Sequence, residues 1–410
     1  MAWEKPDWLD ACCIQNYLQQ SAEIESLEVT GITVEPAVEE GENFCSDIYR
    51  VVVELSWVER GHKVAGKRCY VLKVAPHDKI REKQVMETGI FQREMSIVTN
   101  VLPRINEMMP KLNIPRFNPL FHHVQCEKPL LLMMEDLKAN GYETANRQMG
   151  LDLDHSLMVM KNIAIFHACS VALDEQDPNA VTKYRRGKFR DDETVEVRKY
   201  YKENIINLAG TMKNWHEIDP RIPEKILKLS ESAHKKGCDG YRYQPGGFNV
   251  LNHGDLWINN IMFRYDEYHK PVDVMFVDFQ LCHQASPAAD ILHFFATSLS
   301  DDVELNYREK LVLEYHVWLT STMANLECKT KTPSYNELRD ILEKHAFIET
   351  IISFNSLPNF IKDRSQKMNL ANLFSPKDGQ FFNPAHQGTR YKQIMTRRLP
   401  MYDSMGLLDS

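Results

Sequence analysis

The residues best suited to chemistry gather in one stretch, Phe248-Asn-Val-Leu-Asn-His253-Gly-Asp255-Leu-Trp-Ile-Asn-Asn260, with Asp278-Phe-Gln280 following two short apolar runs. Those runs, Ile261 to Tyr265 and Val272 to Val277, are rich in β-branched and aromatic residues. The polar segment Asp266 to Pro271 lies between them, so the pair predicts an antiparallel hairpin. A turn centred near Tyr268 to Lys270 sets Asn260 and Asp278 opposite each other, and directly opposed residues sit about 4.5–5.5 Å apart. An amide oxygen and a carboxylate at that spacing can share one hard cation such as Mg²⁺. Asp255, in the loop that feeds the first strand, can take the proton of an attacking hydroxyl while the cation holds phosphate oxygens. His253 is better placed to prop the loop through hydrogen bonds than to react. The plainer alternative is an acidic hairpin with chance polar neighbours.

Two further charged positions stand in apolar surroundings. Lys73 lies in Tyr70-Val-Leu-Lys-Val-Ala75, and an ammonium buried in a strand is expensive unless paired. It therefore faces solvent or has an anionic partner. Ile80 to Leu102 predicts a helix with Val85, Met86, Ile90, Phe91, Met95 and Val98 along its apolar side, and it carries Glu87 and Glu94. His167, in Phe-His-Ala, reads as a hydrogen-bonded core histidine.

The elements that must position these residues change character along the chain. Pro6 to Gln20 predicts a short leading helix. Strands follow at Ser26 to Val34, Asp47 to Trp57 and Lys67 to Ala75, and a second hairpin at Phe117 to Cys126 and Pro129 to Met134. Past Glu135-Asp136-Leu137 the pattern is helical: Asp154 to Leu173, Glu193 to Met212, Pro223 to Lys236, a helix opening at Ser286-Pro287, Val303 to Leu326, Tyr335 to Phe360, and a piece from His386 to Arg398. Asp177 to Arg190 is densely charged and is the best candidate for a mobile loop. The class is α+β, with strands first and helices after.

The 410 residues suffice for one large or two moderate lobes, and 43% hydrophobic with 26% charged residues is ordinary for a globular protein. A net charge of −8 argues against a nucleic-acid partner. Nine cysteines without a Cys-x-x-Cys pair suggest free thiols rather than zinc. The amino terminus lacks the apolar core of a signal peptide. No apolar run reaches the roughly 18 residues of a membrane span. The expected location is cytoplasmic.

His253-Gly-Asp255 followed by Asn260, then Asp278-Phe-Gln, resembles the catalytic and metal loops of the protein kinase-like fold. The glycine after His253 points to its choline and aminoglycoside kinase branch. The string His-Gly-Asp-Leu-Trp-Ile-Asn-Asn-Ile-Met-Phe is most similar to the insect ecdysteroid kinase-like family. The resemblance implies a bilobal fold, with residues 1–136 as a nucleotide-binding lobe and 137–410 as a helical lobe whose carboxy-terminal block walls the acceptor site. It implies ATP and Mg²⁺ as cofactors, Asp255 as catalytic base, and Asn260 and Asp278 as metal ligands. Lys73 would pair with Glu94, Glu87 being the competing partner. Gly41 and Ser46 would belong to a flap over the phosphates, although no Gly-x-Gly-x-x-Gly is present. Glu135 and Leu137 would read adenine through their main chain, with Met133 or Met134 lining the base pocket or simply filling the core. Asp290 would brace the catalytic loop, assisted by His253. Gln280 replaces the glycine of the protein-kinase Asp-Phe-Gly, and its Cβ predicts a loop that does not flip. The implied acceptor is a hydroxyl of an ecdysteroid or related lipophilic alcohol. Phe294, Phe295, Tyr315 and Trp318 could line its pocket or be core. Choline- or aminoglycoside-type acceptors, and a catalytically silent nucleotide-binding protein, are the alternatives.

Overall fold

The structure, a computed structural model, describes residues 5–20, 27–38, 45–59, 62–362 and 381–410. Two compact units emerge, and neither is continuous in sequence. The first comprises Met1–Pro103, Arg116–Glu143 and Met275–Gln280; the second comprises Arg104–Pro115, Thr144–Val274 and Leu281–Ser410. The sequence suggests one boundary after residue 136. Instead the segment bearing Asp278 returns to the first unit, where Phe276 N–H donates to Phe117 O at 2.7 Å and the two rings lie 6.0 Å apart.

The first unit is built on α1 (Ala11–Gln20), β1 (Glu28–Pro36), β2 (Asp47–Glu59), β3 (His62–Val74), α2 (Lys79–Thr88), α3 (Ile90–Asn100), β4 (Phe121–Gln125) and β5 (Leu131–Glu135). The strands form an antiparallel sheet in the order β1-β2-β3-β5-β4. Alternation places Tyr49, Val51, Val53 and Leu55 of β2 on one face, with Tyr70, Leu72 and Val74 of β3 and Ile14, Tyr17 and Leu18 of α1 in the same core. Helix α1 starts later than Pro6 because Asp10 Oδ1 accepts from Cys13 N–H at 2.8 Å, as an N-cap does. The helix expected over Ile80 to Leu102 is two helices. Gly89, at φ 67, adopts the left-handed conformation that ends the first and reorients the second.

The second unit is organised around the helix Leu153–Gln176, buried along most of its length and packed on Arg308–Asn325. By length and composition this helix could cross a membrane, against the expectation that no run could, and 83% of the qualifying window is buried inside the protein. Its His155 ties down the hairpin: Nε2 lies 3.0 Å from Tyr265 Oη, and the ring meets Phe263 edge-on at 4.7 Å. The hairpin itself is Ile261–Tyr265 with Pro271–Phe276.

The helix Ala288–Ser298 is buried at every residue and packs on Phe347–Asn355. Arg398 locks it in place, donating to Ala296 O at 2.7 Å, Phe295 O at 3.2 Å and Glu304 Oε1 at 2.6 Å. Phe294, Phe295 and Tyr315 are core residues; Trp318, partly buried, instead has Lys161 Nζ 4.3 Å above its ring. Three long helices expected from the pattern are interrupted. Pro223 to Lys236 becomes Arg221–Leu229 and Ala233–Tyr241, Val303 to Leu326 breaks at Tyr307, and Tyr335 to Phe360 becomes three pieces.

Candidate active site

The loop carrying Asp255 is held by the strand before it and the helix after it. Val250–Asn252 pairs antiparallel with His283–Ala285, bringing Asn252 opposite His283. The chain then turns at Gly254, φ 83, where a Cβ would stand 2.1 Å from Leu281 O. Only glycine fits that approach. Asp290, wholly buried, accepts the N–H groups of His253 at 2.6 Å and Gly254 at 2.8 Å. Its Oδ2 also lies 3.1 Å from His167 Nε2, and Tyr315 Oη lies 2.8 Å from His167 Nδ1. Burial pushes the Asp290 carboxyl up, but the hydrogen bonds from His167 and the loop outweigh it and hold the pKa below the usual range. His253 Nδ1 accepts from Asp255 N–H at 3.4 Å, so His253 supports the loop from within.

Asp255 is engaged on both oxygens. Lys188 Nζ donates to Oδ1 at 3.0 Å, and Asn260 Nδ2 donates to Oδ2 at 3.1 Å and to the Asp255 carbonyl at 2.9 Å. His293 Nε2 stands 3.7 Å from Oδ1, too far for a hydrogen bond. Burial raises the Asp255 pKa, yet the neighbouring charge of Lys188 brings it below the usual carboxylate range. His293 is pushed down to about 3 by burial and by Lys188. At neutral pH it is therefore an uncharged imidazole, and Lys188 is the cation that keeps Asp255 ionised. A carboxylate with spare lone pairs, fixed by a braced loop, can accept a hydroxyl proton.

In the first unit the strand lysine finds two anions. Lys73 is 4% exposed, and its Nζ lies 2.6 Å from Glu94 Oε2 and 2.6 Å from Asp278 Oδ1. Glu87 is exposed and faces Lys83 at 3.8 Å, so Glu94 is the helix partner. Burial alone would favour neutral lysine; Asp278 and then Glu94 reverse this and raise its pKa. Glu94 is raised by burial and by the charge of Asp278, the expected outcome for two carboxylates sharing one ammonium.

Asp278 occupies the left-handed region, φ 69. Gln280 follows in a 3₁₀ turn, Phe279–Leu281, so the unusual backbone falls on the aspartate and not on the glutamine. Gln280 Nε2 donates to Asp278 Oδ2 at 3.2 Å, while the buried Gln280 Oε1 has no hydrogen-bond partner among the described residues. That orphaned oxygen beside a carboxylate suits a hard cation. Asn260, in the second unit, commits its Nδ2 to Asp255.

Glu135 and Leu137 are positioned mainly by structure. The Glu135 carboxylate takes Arg116, Leu120 N–H at 2.8 Å and Asn140 Nδ2 at 2.9 Å. Its own N–H donates to Leu120 O at 3.0 Å, and Leu137 O accepts from Asn140 and Tyr142. Met133 is buried in the sheet core, and Met134 is half-buried. Ser46 is buried, with its carbonyl accepting from Arg81 at 3.4 Å; Gly41 lies outside the described residues.

Lys188 and His293 were not legible as site residues. Lys188 sits in Asp177 to Arg190, expected to be mobile, but that segment is tied at both ends, by Arg104 to Asp177 at 2.8 Å and by Lys188 to Asp255. Nothing in the order of its basic residues marks Lys188 among Lys183, Arg185, Arg186 and Arg190. His293 left a usable trace: it falls three residues after Asp290, on the same helix face.

The chain matches the model of the Ecdysteroid kinase-like family over residues 40–328, well over half its length. It belongs to the ecdysteroid kinase-like family. No curated protein matches it. Membership carries the α+β protein kinase-like fold and makes the chain a kinase-like phosphotransferase of small molecules. Lys73, Glu94, Lys188, Asp255, Asn260, Asp278, Asp290 and His293 all lie within the matched span.

Proposed function

We propose that this ecdysteroid kinase-like protein transfers the terminal phosphoryl group of ATP to a hydroxyl of an ecdysteroid or related lipophilic alcohol, acting in the cytoplasm. The observation that carries this is the Lys73 ammonium, buried and 2.6 Å from both Glu94 and Asp278. A core built only for stability gains little from such a group, because apolar residues of similar volume do as well or better. The second carboxylate leaves surplus negative charge that a bound cation would balance.

Lys73 neutralises phosphate oxygens, and Glu94 holds it in place. The carboxylate of Asp278 and the amide oxygen of Asn260 are the proposed Mg²⁺ ligands, with Gln280 Oε1 adjoining Asp278; the ion supplies charge neutralisation on the phosphates when bound. Asp255 accepts the hydroxyl proton as the acceptor oxygen bonds to phosphorus, and the bond from phosphorus to the bridging oxygen of ATP breaks, releasing ADP. Asp290 fixes the loop on which Asp255 is carried. ADP formation should be measured with purified protein, Mg²⁺ and ATP across hydroxylated steroids, choline and aminoglycosides. Turnover with the steroids is expected. Turnover confined to choline or aminoglycosides would replace the acceptor class, and ATP binding without turnover on any of them would leave a silent nucleotide-binding protein.

A further inference from the structure

Around Asp255 the second unit assembles side chains that phosphoryl transfer leaves without a task. Phe360 is their hub. Trp257 stacks on it at 3.8 Å with ring planes 13° apart, the His293 ring lies 6.3 Å away at 24°, and Lys188 Nζ sits 5.5 Å from its centroid. The same Lys188 Nζ is the one bound to Asp255 Oδ1. Buried polar atoms nearby are unspent: among the described residues Trp257 Nε1 and both ring nitrogens of His293 have no hydrogen-bond partner, and His293 is wholly buried. Native proteins seldom leave such groups unpaired, so three of them on rings that flank Phe360, one of them 3.7 Å from the Asp255 carboxylate, point to a ligand's oxygen atoms. Asp255 and Lys188 keep a rim of exposure, 13% and 15% of their side chains, through which a ligand reaches them.

Resting on the phosphotransferase reading, we propose that Lys188, Phe360, Trp257 and His293 form the acceptor subsite, and that Lys188 makes it select neutral ring-bearing alcohols with a second oxygen over ammonium-bearing ones. An aromatic face beside an acid is the usual lodging for an organic cation. Here the protein's own ammonium already occupies it. A second positive charge brought to about 5 Å from Lys188 would lose on the order of 10²-fold in binding at an effective dielectric near 20. The indole N–H of Trp257 and the N–H of the His293 tautomer remain to hold a second hydroxyl or carbonyl, while the apolar ring surface packs the body of the acceptor.

The test uses a dihydroxysteroid and the aminosteroid in which one of those hydroxyls is an ammonium. Wild-type protein should prefer the dihydroxysteroid by on the order of 10²-fold in kcat/KM. Lys188→Gln should lower kcat for both and narrow the preference at least about tenfold, through KM for the aminosteroid, whereas Lys188→Arg should retain it. Trp257→Phe, which keeps a ring and removes the N–H, should raise KM for the dihydroxysteroid but not for a monohydroxysteroid. An unchanged preference in Lys188→Gln, or an equal effect of Trp257→Phe on both steroids, overturns the proposal. Equilibrium binding of the same steroids, without ATP, separates the two readings. Charge selectivity that depends on Lys188 without any ADP formation would leave the subsite standing and the phosphotransferase reading fallen.

Discussion

The two charged clusters keep carboxylates inside the protein by different means. In the first unit, Glu94 and Asp278 share one ammonium, that of Lys73, and the sum of formal charges stays negative. In the second, no lysine or arginine among the described residues reaches Asp290 at hydrogen-bond distance. Two backbone N–H groups and the buried His167 satisfy it, and burial keeps that imidazole's pKa below its ordinary value. Asp255, close by, does have a cation in Lys188. The first arrangement is under-neutralised and suits a group that brings positive charge. The second separates a structural anion, saturated with hydrogen bonds, from a working one whose oxygens keep lone pairs to spare. Negative charge alone would not tell the three roles apart; the kind of partner does.

The sharpest break in that comparison comes from Asp255→Asn. It removes the proton acceptor and leaves the Lys73 cluster whole, so turnover should fall by about 10²–10⁴ while ATP affinity by calorimetry stays put. Unchanged turnover would remove Asp255 from the chemistry. Next in size is Lys73→Met, which strands two carboxylates and should cost about 3–5 kcal/mol in urea unfolding, along with nucleotide affinity. Glu94→Gln should cost clearly less, because Lys73 keeps Asp278. Equal losses in the two variants would mean that the carboxylates do not share the ammonium.

Asp290→Asn should lower stability by about 1.5–3 kcal/mol through loss of charge-assisted hydrogen bonds, and should depress kcat through the loosened loop. A loss of stability with kcat intact would make Asp290 a core residue only.

The smallest effect concerns pH. The His293 pKa is lowered to about 3 in the fold, against about 6.5 when unfolded. A depressed histidine gives stability that is complete above the unfolded value and is lost as pH falls toward the folded one. Its share of the loss between about pH 7 and pH 5 is about 2 kcal/mol. Unfolding midpoints of His293→Phe should therefore fall less over that interval than those of the wild type, and parallel curves would place His293 in contact with water.

Much of the first unit was readable because its signals are local. Alternating Tyr49, Val51, Val53 and Leu55 reads as a half-buried strand, and a lysine between Leu72 and Val74 has either solvent or an anion to meet, a choice that burial of the strand decided. The choice of Glu94 over Glu87 was open, since both ride on a helical pattern. The left-handed Gly89 decided it by ending one helix and starting another at a new angle. The helix break at Tyr307 left no mark, as nothing in the apolar pattern interrupts there, whereas Pro358 in the first turn of Leu357–Phe360 does mark the break at Ser356. Trp257 and Phe360 are ordinary aromatic residues in sequence, and their stacking is a fact of the fold alone.

The order of residues by itself determined the chemical inventory: a loop with His253, Asp255 and Asn260, an aspartate at 278, a lysine in an apolar strand, and the family these belong to. Those are matters of residue type and short-range spacing, which the chain carries before it folds. Tertiary structure decided the partners. Lys188 reaches Asp255, Asp278 joins Lys73, and Asp290 receives the loop N–H groups across separations that no periodicity encodes, because buried charges are satisfied by whatever packing brings within about 3 Å.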